Sequence, residues 1–269
     1  MIKIPKRMPS GIRSLDTIVG GGFPTGSTVL LSGEEGSGNV EFAYTAAATF
    51  AAVGENHFYS RSLEGIVLPR QICYLSFSRS RANIIDEVTR SFGPEICAQF
   101  EKKVIFKDFS SEYMANLGVP RDWINTRNKK NGIKPRLISA LNNNAKNSMV
   151  ILHSLNDIIR LYEDNKRGLL SFLIGIQHMA KKWDGLIYAI FTPGAISSEM
   201  EAEIKSCFDG ILKFEWTKAG TVKRQRVMYF EKFRGLLPHI EEKLSLFNIE
   251  ITNKTGFVVS RVAMLERLK

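Results

Sequence analysis

The segment that most restricts how this chain can fold is Gly33 to Val40, GEEGSGNV, because of what flanks it. Ser27 to Ser32 reads STVLLS, a short apolar strand, and from about Val40 to Val53 alanines and aromatics follow as in a buried helix. A glycine-rich turn between strand and helix points backbone N–H groups at an anion on the helix N-terminus. The pattern expected of a phosphate-binding loop is GxxxxGK[ST]. Gly33 and Gly38 have that spacing, Gly36 gives the turn freedom, and Glu34, Glu35 and Ser37 fill the positions between. The lysine that should reach the terminal phosphates is Asn39, and the hydroxyl that should hold magnesium is Val40. The scaffold of the loop is kept while both chemical positions are changed.

Strands and helices alternate beyond this unit. Strands are expected at Gln71 to Phe77, Val104 to Phe109, Met149 to Leu152 and Gly185 to Thr192. Helices are expected at Arg81 to Phe92, with Ile84, Ile85 and Val88 on one face, near Arg136 to Ala145, and at about Gly168 to Lys182. That order predicts an α/β fold with a mainly parallel sheet flanked by helices. The last third reads as strands Gly210 to Trp216, Val222 to Phe233, Lys243 to Ile251 and Phe257 to Val262, an antiparallel extension of one sheet edge. With 269 residues, 44% hydrophobic, and no long polar tract, one domain over 1–269 is expected. It carries an insertion at about 54–70 and a basic loop at about 118–134.

The chain resembles the KaiC-like branch of the RecA superfamily. The resemblance rests on SGIRSLDTIVGGGFPTGSTVLLSG (Ser10 to Gly33), on Phe208-Asp209-Gly210-Ile211 and on Glu231-Lys232-Phe233-Arg234-Gly235. It implies a RecA-like fold and ring or filament assembly. In that family the strand after the first helix ends in adjacent glutamates, one of which activates water; here the stretch is Ser76-Phe77-Ser78-Arg79-Ser80. Where an aspartate supports magnesium, this chain has His153, after Met149-Val150-Ile151-Leu152. The resemblance also implies that Lys232 and Arg234 reach across a subunit interface toward a neighbour's nucleotide.

Phosphoryl transfer is catalysed largely by positioning and charge, so replacing lysine, hydroxyl, glutamate and aspartate together predicts a chain that does not hydrolyse ATP alone. No resident cofactor and no metal site is expected, although the loop backbone is compatible with weak ATP or ADP binding without turnover. The expected role is that of a regulatory or scaffold subunit. Its partner would be itself or a KaiC- or RecA-like paralogue, whose ring it could complete with Lys232 and Arg234.

A formal charge of +10 favours anionic partners, nucleic acid or an acidic protein surface. Arg121, Trp123, Arg127, Lys129 and Lys130 interleave an aromatic with cations, a composition that suits single-stranded nucleic acid and equally a solvated loop. Lys218, Lys223, Arg224 and Arg226 read as ordinary exposed charge at a turn. The apolar insertion is expected to pack on the body or a neighbour, and Val259 to Lys269 has the spacing of a short amphipathic helix. Cys73, Cys97 and Cys207 show no metal or disulfide spacing. With no long apolar run, and a start, MIKIPKRMPSG, that lacks an apolar leader core, a cytoplasmic protein away from membranes is expected.

Overall fold

A computed structural model describes residues 6–51, 64–124, 132–219, 223–236 and 246–261. Among them a nine-stranded sheet runs through the molecule, and its order explains how distant motifs meet. The parallel strands are β3 (Ser27–Gly33), β4 (Ile72–Ser76), β5 (Ile105–Asp108), β6 (Met149–His153), β7 (Leu186–Phe191) and β8 (Gly210–Ala219). β9 (Lys223–Phe233), β10 (Phe247–Thr252) and β11 (Gly256–Arg261) continue from β8 as an antiparallel meander. The spatial order is β11-β10-β9-β8-β3-β7-β6-β4-β5, with β1 (Arg7–Met8) and β2 (Phe23–Pro24) forming a separate small ladder. The parallel sheet and its antiparallel extension are both as expected from the pattern.

Helices cover both faces, as a parallel sheet requires. On one side lie α1 (Arg13–Val19), α2 (Asn39–Ala51), α3 (Arg81–Ser91) and α4 (Pro94–Lys103). On the other lie α5 (Ser110–Asn116), α6 (Ile133–Asn144), α7 (Leu155–Leu161), α8 (Lys166–Trp183) and α9 (Ser198–Ser206). α2 has little amphipathicity because almost all of it is buried, and alanine lets it lie close to its neighbours. Its Phe42 makes edge contacts with Tyr188, Phe214 and Phe257 at 5.3 to 5.7 Å, joining the parallel sheet to the meander. Replacing a buried phenylalanine with alanine costs about 3–5 kcal/mol, so Phe42→Ala would loosen both halves.

Edge strand β11 is closed by helix hydroxyls. Phe257 N–H donates to Thr45 Oγ1 and Val259 N–H to Ser14 Oγ, each at 2.9 Å, which satisfies groups that would otherwise template aggregation. The expected terminal helix is therefore corrected at its start, since Val259 to Arg261 belong to β11, while 262–269 lie outside the described residues. Of the insertion, 64–70 are described: Ile66 bridges Arg7, and Val67 N–H donates to Arg7 O at 2.8 Å, so this part packs on the body. No helix among the described residues is long and apolar enough to cross a membrane.

Candidate functional site

β3 lies between β7 and β8 and delivers Gly33 to the end of the sheet where the parallel strands finish. The chain turns at Gly36 (φ +74°) and Gly38 (φ +110°) and enters α2 at Asn39. A side chain is excluded at Gly33, where a Cβ would collide with Ser37 Oγ and lie 2.8 Å from Phe214 Cβ. Glu34, Glu35 and Gly36 are exposed, whereas Ser37, Gly38 and Asn39 are buried. Asn39 is only 2% exposed because its side chain folds beneath the loop. Its Nδ2 donates to Leu31 O and Gly33 O at 3.4 Å, and its Oδ1 accepts from Val40 N–H at 3.0 Å. Val40 packs against the apolar core.

From outside, Arg226 on β9 donates through Nε to Gly36 O at 2.7 Å. Its guanidinium also lies 4.4 Å from the Trp216 ring centroid, with Arg224 4.7 Å away. Arg226 is thus corrected from ordinary exposed charge to a brace on the loop. The sequence signal was available in period 2: on neighbouring antiparallel strands Arg226 stands opposite Trp216, two residues past the Phe214 that flanks Gly33.

β4 and β6 are adjacent, and register places Ser76 beside His153 at their ends. His153 is 7% exposed, and its Nδ1 lies 2.6 Å from Tyr74 Oη. Burial, and next the Arg79 charge, hold the imidazole at a pKa of about 4 against an ordinary 6.5, with Asp157 pulling the other way. The ring is therefore neutral near pH 7. The Tyr74 phenol is pushed well up by burial, so it keeps its proton. Tyr44 stacks on Tyr74 and donates to Glu87 Oε2 at 3.1 Å, and Glu87 also pairs with Arg79.

Asp157 is the carboxylate nearest to His153 in sequence. It accepts from Ser78 Oγ at 2.8 Å, from Ser154 Oγ at 3.0 Å and from Arg160 Nη1 at 3.3 Å. Together with Ser154 it forms the capping box of α7, so its oxygens are engaged in starting that helix. The described residues contain no group of three or more His, Cys, Asp and Glu side chains able to hold a metal ion.

Lys232 and Arg234 lie at the opposite end of the sheet from the loop. Lys232 pairs with Ile211, near the start of β8, whereas Phe214 flanks Gly33. Lys232 Nζ donates to Lys205 O at 3.2 Å and Ser206 O at 3.5 Å, closing the last turn of α9. Burial lowers its pKa, as does Arg234 beside it. Arg234 itself is exposed, with its N–H bonded to Asp209 O. Trp123, in a short 3-10 turn (Arg121–Trp123), is 80% exposed, while Arg127, Lys129 and Lys130 lie outside the described residues.

A parallel sheet with helices on both faces, a glycine loop leading from its central strand into a buried helix, and an antiparallel edge define the P-loop class of RecA-like folds. The particular family follows from comparison. The model of the KaiC ATPase family matches residues 8–262, and the chain belongs to that family. A crystal structure of a KaiC-like protein from the hyperthermophilic archaeon Pyrococcus horikoshii OT3 has the same fold. It superposes with a TM-score of 0.63 at 20% identity, over 95% of this chain and 99% of that one. No curated protein matches the chain.

Proposed function

We propose that this chain is a KaiC-family subunit that does not hydrolyse ATP by itself and acts as a regulatory or scaffold component through self-assembly or partner binding. The observation that carries the proposal is the pairing of Ser76 with His153. At the two strand ends where relatives present carboxylates, this chain presents a hydroxyl and a buried, neutral imidazole bonded to Tyr74. The remaining positions point the same way. Asn39 is spent on Leu31 and Gly33 carbonyls, Val40 is packed in the core, and Asp157 is committed to a helix cap. Such side chains do not suit a magnesium-bound triphosphate, which needs a phosphate cation and oxygen ligands for the metal.

Calorimetric titration of ATP and ADP with magnesium, comparing the parent with Asn39→Lys/Val40→Thr, tests this reading. The expected result is little or no heat from the parent and a gain in affinity in the double variant. Tight magnesium-dependent ATP binding by the parent would count against it.

A second reading has its own support. Arg234 is exposed at the sheet end remote from the loop, where a neighbour in a ring could meet it. In that reading the chain supplies Arg234, with Lys232 beside it, to an active paralogue, and turnover appears only when the paralogue is added. Nucleic-acid binding rests on the exposed Trp123 and the net charge, and a salt-dependent affinity for single-stranded DNA would distinguish it.

A further inference from the structure

A groove of about 770 Å³ lies away from the sheet end that carries the phosphate loop, between α1, the outer face of α2, α4 and the β10–β11 turn. Its size falls in the range of small-molecule sites, about 300–1,000 Å³. The floor is apolar, from Ala48, Ile96 and Phe257. Its charge is one-sided: Arg13 and Lys254 line it from opposite ends of the sequence, and none of the described lining residues is a carboxylate.

Hydroxyls complete the wall. Ser14 Oγ and Thr45 Oγ1 already accept from β11 N–H groups, so each has its own proton left to donate. Their positions are fixed by those bonds and by the close approach of Gly256 to Thr45. Two cations, oriented O–H donors and an apolar floor together select for negative charge carried on an apolar body.

We propose that this groove binds a small organic anion, a phosphate monoester or carboxylate with an apolar body, through Arg13 and Lys254. The groove shares Phe257 with the phosphate loop, since a Cβ on Gly38 would meet the Phe257 ring at 3.2 Å. Occupancy of the groove therefore presses on a ring that packs against the first turn of α2.

Phenyl phosphate, phenylacetate and inorganic phosphate, titrated into the full chain and followed through amide NMR shifts, test the proposal. Either aromatic anion is expected to bind saturably and to shift the amides of Thr45 and Gly256. Inorganic phosphate should bind at least about tenfold more weakly. Arg13→Ala/Lys254→Ala, both at exposed positions, should keep the fold by circular dichroism and weaken binding at least about tenfold. Absence of saturable binding of both aromatic anions up to about 10 mM overturns the proposal, as does unchanged affinity in the double variant. Binding lost in Arg226→Ala but kept in the double variant places the anion on the phosphate loop and also overturns it.

Discussion

The two ends of β3 carry family motifs with opposite fates. At its start, Asp209 is 4% exposed and accepts from Thr28 N–H at 3.0 Å, Thr28 Oγ1 at 3.1 Å, Gln177 Nε2 at 3.1 Å and Lys181 Nζ at 2.9 Å. This one carboxylate ties β3, α8 and β8 together. At the other end of the same strand, the glycines of the loop persist, but Asn39 and Val40 stand where a lysine and a hydroxyl would act on a nucleotide. Residues that hold the fold are present, whereas residues whose use would be chemical have been exchanged for ones that bond to the loop itself or to the core. The difference separates a motif's structural share from its catalytic share.

The contrast is broken most severely by Asp209→Ala, which strands the Lys181 ammonium and the buried Thr28 donors. A loss of about 3–5 kcal/mol is expected in urea unfolding, against about 1 kcal/mol or less for Asn39→Ala, whose carbonyl contacts are long. Equal losses would mean that the loop end is as structural as the Asp209 end.

His153 sharpens the comparison through pH. Its folded pKa of about 4 lies below the ordinary 6.5, so between those values the unfolded chain takes up a proton that the folded chain refuses. Stability therefore falls as pH drops from 6.5 toward 4 and this contribution levels off below, with roughly 3 kcal/mol involved. His153→Gln should remove that share, visible as a shallower decline in the difference between the two unfolding curves. Parallel declines would show that His153 is not held neutral.

Smaller effects are expected at the braces. Lys232→Met should cost about 1 kcal/mol by opening the last turn of α9. Arg226→Ala, which frees Gly36 O and unstacks Trp216, should cost about 0.5–1 kcal/mol and change Trp216 fluorescence. A large loss from Arg226→Ala would make the brace part of the core.

Much of this architecture was legible before any coordinates. The β3–loop–α2 unit, the parallel strands and the antiparallel edge are written in local apolar runs and glycine turns, which need only neighbouring residues. The shorter helices α1, α5, α7 and α9 escaped because seven to nine residues give too few turns for a clear stripe, and α4 because only Gly93 separates it from α3. At the site, the exchanges at 39, 40, 76–80 and 153 could be read from motif spacing. What replaced the lost chemistry could not: Arg226 meets Gly36 across 190 residues, and Tyr74 meets His153 across 79. Such pairings follow from strand order, and one sequence does not encode that order locally.

The most direct test of the central claim is phosphate release from ATP and magnesium by the purified chain alone, followed across the fractions of a sizing column. The account predicts release no faster than from buffer, also after Asn39→Lys/Val40→Thr, because Ser78 and His153 would still lack the carboxylates that position water and metal. Magnesium-dependent release that tracks the protein peak of the parent would contradict it.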